Sequence, residues 1–220
     1  YSGMMRLLRE QLDTGKYDKT LQRQLESFCE RVEKPGRVDT HDLGFLYSLT
    51  CYPAMLEGDA RAERCFKLAA DYLAVRFFDK AGIIQAWGDL SDPENRGRMI
   101  IDCLMNLPLL HQAGHHTGDA KYKKMAYSHA KQAQKYIIRE DNSTYHTFYM
   151  DVDSGEPLRG TTAQGYSDSS CWARGQAWGI YGFALSYCHT GDESFLDSAC
   201  ALLDYFLEHL PEDRVCYWDL

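Results

Sequence analysis

The sequence lacks the features that mark membrane, disulfide-bonded and nucleic-acid-binding proteins. No run of about 18 apolar residues occurs, so we expect no transmembrane helix. The formal net charge is −8, which disfavours nucleic acid or an anionic membrane as the main partner. The eight cysteines stand singly and form no CxxC pair, so free thiols in a reducing compartment are favoured over disulfides or a cysteine-bound zinc ion.

Common catalytic and nucleotide-binding signatures are missing as well. There is no P-loop, no GxGxxG and no GxSxG motif. The segment HQAGHH places His111 and His115 one helical turn apart, but Gly114 interrupts the helix and no carboxylate completes a metal-binding set. These histidines are better explained as residues that favour the C-terminal end of a helix. No signal peptide is apparent, so we expect a cytoplasmic protein, or a periplasmic one if a signal peptide precedes this sequence.

What the sequence contains is typical of a helical globular protein. Of its 220 residues, 45% are apolar and 25% are charged, which suffices for a domain with a substantial core. A unit of helix, tight turn and helix recurs along the chain. Its turn glycines are Gly15, Gly58, Gly118 and Gly191. Glycine suits a left-handed helix end, and in three of these four units an aspartate follows to open the second helix.

The two helices of a unit differ in character. The first, as in GQAWGIYGFALSYCH, is apolar almost all round, whereas the second, as in KYKKMAYSHAKQAQKY, has a charged face. Inner and outer rings of a toroid have this asymmetry, so we predict an all-α fold, a partial (α/α) barrel of about four hairpins. Closing a ring needs further hairpins, and we therefore expect residues 1–220 to be a single domain lacking N-terminal and C-terminal portions. An open α-solenoid that is complete as given is the alternative.

Two long connections, residues 78–97 and 139–168, separate the helical units. Strand-like alternation is limited to short pieces such as YHTFYMDVD. Long ordered loops on a helical scaffold commonly carry function. Within these two we single out Trp87, His146 and Gln164 as candidate site residues, although a single loop histidine is more often structural than catalytic.

Two aspartates occupy similar places at the start of apolar helical runs. Asp102 lies in GRMIIDCLMNLPLL, where desolvation would raise the pKa of its carboxyl and suit it to acid–base work. Asp42 in DTHDLGFLY begins another such run, so both carboxylates would project at one mouth of a ring, an arrangement that sugar chemistry uses. Stabilisation of a helix start is the competing explanation for each; for Asp42, Asp39 or Thr40 would be the cap.

The segment SDSSCWARGQAWGIYGF crowds two tryptophans, an arginine and three glycines into one helix start. Ser169 or Ser170 can cap this helix, Arg174 and Trp178 lie one turn apart, and Trp172 stands at the helix mouth. Indole faces stack on the C–H faces of sugars and arginine binds carboxylates, so the cluster suits an acidic sugar. Close helix packing explains the glycines, and core packing is the alternative explanation for the tryptophans.

Five segments together resemble the unsaturated glucuronyl hydrolases of glycoside hydrolase family 88. They are DTHDLGFLYSLT, NRGRMIIDCLMNLPLL, YHTFYMD, TAQGYSDSSCWARGQAWGIYGF and the terminal YWDL. The WARGQAW segment is specific, because the related unsaturated rhamnogalacturonyl hydrolases of family 105 usually have RGNGW there. The resemblance implies a six-hairpin (α/α) barrel, in agreement with the repeated unit.

The resemblance also implies a reaction. Members of the family act on oligosaccharides released by polysaccharide lyases, which end in a 4,5-unsaturated uronic acid. The double bond is hydrated: C4 receives a proton, water adds to C5, and the resulting hemiketal opens and releases the next sugar. Asp102 matches the general acid–base and Asp42 the second essential carboxylate, while no metal or organic cofactor is called for. The matching substrate-binding residues are Trp87, His146, Gln164, Trp172, Arg174 and Trp178.

Three alternatives stay open at this point. A rhamnogalacturonyl hydrolase would perform the same hydration on a pectin fragment. A non-catalytic helical module would present a concave surface to a glycan or a protein and would not need Asp102. An inverting glycosidase would act on saturated sugars without a double bond.

Overall fold

The computed structural model describes residues 1–12, 14–34, 36 and 38–220. Within them the α-helices are α1 Ser2–Leu12, α2 Asp18–Val32, α3 Leu43–Tyr47, α4 Cys51–Leu56, α5 Ala60–Val75, α6 Leu107–Thr117, α7 Ala120–Tyr136, α8 Ala173–Thr190 and α9 Glu193–Glu208. Short 3-10 helices span Gly15–Tyr17 and Ile101–Met105. The strands are β1 Phe77–Phe78, β2 Ile83–Ile84, β3 Arg98–Ile100, β4 Thr147–Met150 and β5 Pro157–Thr161. The fold is therefore mainly helical, as the sequence predicts.

The predicted turns are confirmed in the three later hairpins. At the α6–α7 turn, Gly118 is left-handed with φ of 74°, and the Asp119 side chain accepts a hydrogen bond from the Lys121 N–H. The same arrangement recurs at Gly58–Asp59 before α5 and at Gly191–Asp192 before α9. Glycine ends one helix without a Cβ clash, and the aspartate satisfies free N–H groups at the start of the next.

The first predicted turn is different. Gly15 lies in the 3-10 helix Gly15–Tyr17 and not in a left-handed helix end, so this part of the prediction is wrong. The Thr14 side chain caps the 3-10 helix by accepting a hydrogen bond from the Lys16 N–H over 3.2 Å. Asp13, with which the predicted turn begins, lies outside the described residues.

The helices pack in two layers, as expected for inner and outer rings. On the inner side α3 contacts α6 and α6 contacts α8, while on the outer side α2 contacts α5 and α5 contacts α7. Consecutive helices pair across the layers: α4 with α5, α6 with α7, and α8 with α9. The outer layer continues to α9, where the Gln134 side-chain amide donates to the Ser194 carbonyl and the Ser198 hydroxyl, both over 2.8 Å.

Two of the predicted inner helices are interrupted. The run LGFLYSLTCYPAML is divided into α3 and α4. Pro53 has no N–H to donate to the preceding turn, and the Leu46 carbonyl accepts a hydrogen bond from the Thr50 hydroxyl. The run IIDCLMNLPLLHQAG contains the end of β3, a 3-10 helix and then α6, which begins with Pro108 in its first turn. The inner layer is therefore less regular than a single helix per unit.

A three-stranded antiparallel sheet, in the order β3–β4–β5, lies beside the inner helices. β4 falls in the strand-like piece that the sequence predicts, whereas β3 and β5 are not predicted. All three residues of β3 are buried, so this strand lacks the alternation that marks a half-exposed strand. One continuous core extends between the layers, with Leu43, Leu73, Leu104, Leu110 and Phe183 among its fully buried side chains. No helix formed by the described residues has the length and apolarity to cross a membrane.

Candidate active site

Asp102 lies directly after β3, in the 3-10 helix, and not inside a long helix. β3 pairs with β4 so that Ile100 is opposite Thr147, and the pairing continues as the Ile101 N–H donates to the His146 carbonyl over 3.0 Å. This register brings the His146 side chain beside Asp102, with Nε2 of the imidazole 3.6 Å from Oδ2 of the carboxyl. The pairing of two strands, one of them unpredicted, thus creates the contact.

His146 is held in one orientation and one tautomer. Its Nδ1 accepts a hydrogen bond from the Ala163 N–H over 2.9 Å and lies 3.1 Å from the Thr147 hydroxyl. Burial lowers the pKa of His146 to about 4, so the ring is neutral at neutral pH. Because Nδ1 acts as an acceptor, the single ring proton is on Nε2, which faces Asp102.

Asp102 is the more buried of the two predicted carboxyls. Of its side chain 14% is exposed, against 47% for Asp42. Burial raises the pKa of Asp102 to about 6, and the negative charge of Asp42 adds to the rise, while Arg174 and Trp178 act in the opposite direction. In the part of the chain that the structure describes, its Oδ2 has no hydrogen-bond partner. A carboxyl of this kind can both give and take a proton near neutral pH.

Asp42 occupies the N-cap position of α3, but its side chain caps no N–H group of that helix. The Thr40 hydroxyl instead accepts a hydrogen bond from the Asp42 N–H over 3.1 Å. The Thr40 contact is the one that the competing helix-start explanation expects, and the Asp42 carboxylate itself makes no capping hydrogen bond. It is available for other contacts.

α3 lies directly against the segment that carries Asp102, and Gly44 makes this approach possible. A Cβ at Gly44 would lie 2.8 Å from the carbonyl oxygen of Asn106 and would overlap its Cα. The Phe45 N–H donates to Oδ1 of Asn106 over 3.0 Å. The close packing of these two backbones places the helix start that bears Asp42 next to Asp102.

Two buried polar side chains, which the sequence does not single out, lie against the Asp42 carboxylate. His41 Nε2 is 3.2 Å and Asn106 Nδ2 is 3.5 Å from the same carboxylate oxygen, Oδ1. Burial lowers the pKa of His41 to about 4, so the histidine is neutral here. His41 could have been noticed because it precedes Asp42, and Asn106 because a buried amide in an apolar run needs a partner.

α8 begins at Ala173, and Trp172 occupies its N-cap position without a side-chain capping bond. The prediction that Ser169 or Ser170 caps this helix is therefore wrong. The Ser170 hydroxyl donates to the Ser167 carbonyl over 2.9 Å and to the Asp219 carboxylate. These contacts order the loop before α8, which explains why serines occur there.

The glycines of α8 allow it to pack onto the 3-10 helix that carries Asp102. A Cβ at Gly182 would overlap the Leu104 side chain, and a Cβ at Gly179 would lie 2.6 Å from Leu202 and 3.3 Å from Ile101. The predicted close helix packing is thereby confirmed. Trp178, one turn before Gly182, meets Phe45 of α3 edge to face, with ring centroids 5.4 Å apart.

Trp172, Arg174 and Gln164 form one connected group. The Arg174 guanidinium lies 4.7 Å over the Trp172 ring and donates to the Gln164 side-chain oxygen over 2.6 Å. The Trp172 ring in turn meets the His146 imidazole edge to face at 4.8 Å. Arg174 and Gln164 are exposed, whereas Trp172 and His146 are buried, so the group leads from the solvent to Asp102.

Trp87 forms the opposite side of the histidine. Its ring stacks with the His146 imidazole at a centroid distance of 6.1 Å and lies at the same distance from His41. The buried Arg98 guanidinium covers the indole at 4.1 Å and donates to the Trp87 carbonyl over 2.6 Å. Trp87 is thus fixed in a rigid, positively charged environment.

The structure brings the predicted site residues together around Asp102. Contacts link His146, Trp87, Trp172, Arg174 and Gln164 on one side. Asp42 and Trp178 lie on the side of α3 and α8. Among the described residues, no group of three or more His, Cys, Asp or Glu side chains is placed to hold a metal ion. A shielded acid, a second carboxylate, indole faces and an exposed guanidinium suit acid–base chemistry on an acidic sugar.

The sequence is similar to curated proteins of known activity. It is 46% identical over 220 residues to an unsaturated glucuronyl hydrolase of Bacillus sp. (strain GL1), covering 100% of this chain and 58% of the relative. It is 50% identical over 195 residues to an unsaturated chondroitin disaccharide hydrolase of Streptococcus pneumoniae, covering 88% of this chain and 49% of the relative. The chain thus spans about half the length of the curated relatives that it matches.

Solved structures give the same result for the fold. The unsaturated glucuronyl hydrolase of Bacillus sp. GL1 matches with a TM-score of 0.95 at 46% identity, over 99% of this chain and 58% of that one. The enzyme of the same name from Streptococcus agalactiae matches with a TM-score of 0.94 at 44% identity, over 99% of this chain and 55% of that one. The predicted partial (α/α) barrel is confirmed. Since the model of Glycosyl Hydrolase Family 88 also matches residues 1–189, the chain belongs to that family.

Proposed function

We propose that this chain carries the centre that removes a 4,5-unsaturated uronic acid from the non-reducing end of an oligosaccharide by hydrating its C4=C5 bond. The observation that carries the proposal is the Asp102 carboxyl, shielded from water, with a pKa of about 6, and facing the Nε2–H of His146. Protonation of an enol ether at carbon needs an acid that still holds its proton near neutral pH, and Asp102 meets this requirement.

In the proposed reaction the Asp102 proton passes to C4, and the electron pair of the double bond forms the new C–H bond. The ring oxygen stabilises the cation at C5, water adds there, and the Asp102 carboxylate takes the proton of the water. The C5 hemiketal then opens as the bond from C5 to the ring oxygen breaks. C1 becomes a hemiacetal, which collapses and releases the next sugar as an alcohol. One water is consumed, and Asp102 returns to its first protonation state.

The other side chains support binding of an acidic sugar. Arg174, already directed by Gln164, supplies a cation for the substrate carboxylate. The partly exposed indoles of Trp87 and Trp178 provide flat apolar faces for the sugar ring, and the buried Trp172 indole supports the Arg174 guanidinium. Asp42 is half exposed and can accept hydrogen bonds from ring hydroxyls, while its charge raises the pKa of Asp102.

The class of substrate that we propose is an unsaturated disaccharide of glycosaminoglycan type. Support comes from the relatives, whose names refer to glucuronyl groups and chondroitin disaccharides. The WARGQAW segment argues against a rhamnogalacturonan fragment. A cytoplasmic location belongs to the same proposal, because single scattered thiols suit a reducing compartment.

The test follows the near-ultraviolet absorbance of an unsaturated chondroitin disaccharide, which arises from the double bond conjugated with the carboxylate. We expect the absorbance to decay with the parent chain and with Asp197→Asn, and to persist with Asp102→Asn. Asp197 is an exposed residue of α9 and serves as the matched control. Equal decay with parent and Asp102→Asn would contradict the role of Asp102. Decay of an unsaturated rhamnogalacturonan disaccharide alone would contradict the substrate class.

A binding measurement covers the case in which no absorbance is lost. Titration calorimetry of Asp102→Asn with the intact disaccharide is expected to give binding that Arg174→Ala weakens by at least about tenfold, because a charged hydrogen bond is lost. Absence of both turnover and binding would refute the proposed function for this chain.

A further inference from the structure

Asn106 lies one turn after Asp102, between the 3-10 helix Ile101–Met105 and α6, and it is completely buried. A buried amide has two donors and an acceptor that need partners, and burial without them is costly. The partners of this side chain are not in its own segment. They belong to α3, the short helix that begins with Asp42.

The two ends of the Asn106 amide bind two different parts of α3. Its Oδ1 accepts a hydrogen bond from the Phe45 N–H over 3.0 Å, and its Nδ2 lies 3.5 Å from Oδ1 of Asp42. The Phe45 N–H is one of the free donors in the first turn of α3, a helix that has no side-chain cap of its own. Asn106 therefore caps α3 from a neighbouring element.

Few residues could perform both tasks. The side chain must accept from an N–H and donate to a carboxylate at the same time, which excludes the acidic, basic and apolar residues. Glycine at position 44 removes the Cβ that would otherwise hold α3 away from Asn106. Asn106 and Gly44 together allow the start of α3, which bears Asp42, to lie against the segment that carries Asp102.

We infer that Asn106 is a positioning residue, which holds the Asp42 carboxylate and the start of α3 against the segment that carries the proposed acid, Asp102. This inference rests on the proposed function. It adds that the second carboxylate is held by a neutral amide which itself does not touch the substrate. The groups near Asp102 are Asp42 just before α3, His146 just before β4, and Arg174 with Trp178 in α8. Of these, Asp42 is the one that Asn106 binds.

The main test is Asn106→Asp, which keeps the shape and the acceptor for the Phe45 N–H but adds a second acidic group beside Asp42, so that the pair can carry one more negative charge. We expect the alkaline limb of the pH profile of kcat to move upward by roughly one pH unit, because a like charge near Asp102 disfavours its ionisation. Asn142→Asp makes the same exchange in an exposed loop and is expected to leave the profile unchanged. A merely structural role of Asn106 would lower activity without moving the limb.

A second variant separates charge from packing. Asn106→Leu has a similar volume and adds no charge, so we expect it to lower kcat by at least about tenfold without an upward shift of the alkaline limb. An upward shift of the same size in Asn106→Leu would overturn the inference, because the shift would then not depend on charge at this position.

A measurement without turnover distinguishes a failure of this inference from a failure of the proposed function. In protein labelled with ¹³C at aspartate carboxyls, the Asp102 resonance is expected to titrate at higher pH in Asn106→Asp than in the parent chain. The side-chain amide resonances of Asn106 in the parent chain are expected to differ from those in Asp42→Asn, which removes the charge beside the amide. An unshifted Asp102 titration, or amide resonances that Asp42→Asn leaves unchanged, would overturn the inference even if the parent chain hydrates the substrate. A shifted titration in an inactive protein would support the inference and count against the proposed function alone.

Discussion

The two ends of the helical hairpins use aspartate in opposite ways. At the turn end, Asp59, Asp119 and Asp192 each accept hydrogen bonds from backbone N–H groups that open α5, α7 and α9. At the other end, the N-cap side chains of α3, α6 and α8 do not cap their own helices, and α3 is capped by the Asn106 side chain from a neighbouring element. Asp42 and Asp102 lie there with carboxyl oxygens that the helices do not use. Helix stability is thus concentrated at one end and chemical groups at the other.

The two environments shift the pKa of an aspartate in opposite directions. Hydrogen bonds from Ser194 and Tyr127 lower the pKa of Asp192 to about 2, whereas burial raises the pKa of Asp102 to about 6. A carboxylate that accepts several hydrogen bonds is stabilised as an anion and cannot serve as an acid at neutral pH. The buried Asp102 carboxyl instead keeps part of its protonated form near neutral pH, and its ionisation there costs stability.

The largest effect is expected from Asp102→Asn, which removes the proposed acid at the end of the hairpins opposite the turns. Activity on the unsaturated disaccharide should fall by about a thousandfold, because no group replaces the proton donor. Initial rates from the loss of near-ultraviolet absorbance measure this change. A fall of less than tenfold in a folded variant would show that another group supplies the proton.

A smaller effect is expected from Gly44→Ala, which pushes α3 away from Asn106. The new Cβ would overlap the Asn106 backbone, so kcat/KM should fall by about tenfold to a hundredfold as Asp42 moves. Gly118→Ala is the control at the turn end: it has no neighbour within 4 Å but a φ of 74°, so it should cost about 1 kcal/mol of stability without loss of activity. Equal activity losses in both variants would contradict a specific role of the α3 contact.

Asp102 and Asp192 are expected to affect the pH dependence of stability in opposite ways. The pKa of Asp102 is raised on folding, so its contribution to the free energy of unfolding is present below about pH 4 and is lost as the pH rises through 6. The stability of Asp102→Asn relative to the parent should therefore increase by about 2 kcal/mol between about pH 4 and pH 7.

The pKa of Asp192 is lowered on folding, so its contribution is present above about pH 4 and is lost as the pH falls towards 2. Asp192→Asn should differ from the parent at neutral pH and approach it in acid. Urea unfolding at a series of pH values measures both variants. If the stability difference from the parent changed with pH in the same direction for both variants, the two aspartates would not be opposed as we predict.

The smallest effect is expected from Asp59→Ala at the turn end. Asp59 accepts hydrogen bonds from the Arg61 and Ala62 N–H groups, both over 2.9 Å. Loss of this cap should cost about 1 kcal/mol of stability and leave the hydration rate unchanged. Thermal unfolding and the absorbance assay together check the result, and a clear loss of activity would mean that the two ends are coupled.

The turns were predictable from the sequence because their physics is local. A glycine followed by an aspartate ends one helix and opens the next within a few residues, and the amphipathic pattern predicts the helices on either side. The same reasoning fails at Gly15, where Thr14 provides a different cap. It also fails where Pro53 and Thr50 divide an inner helix, since periodicity alone does not show the break.

The candidate site was predictable in its residues but not in its contacts. The facing of His146 and Asp102 depends on the pairing of β3 with β4, and β3 is too short and too buried to show a strand pattern. His41 and Asn106 act through neighbours that only the folded chain brings close. The roles assigned to these side chains stay predictions until the variants are measured.

The positions of the tryptophans have a practical consequence. The chain has four, and Trp87 and Trp172 both adjoin His146. Trp178 adjoins Phe45 of α3, and the Trp218 indole donates to the Gln164 carbonyl over 2.7 Å. The intrinsic indole fluorescence of these 220 residues therefore originates around one site, without background from a distant core. Ligand binding at the site can therefore be followed by tryptophan emission from the unmodified chain, without an added label.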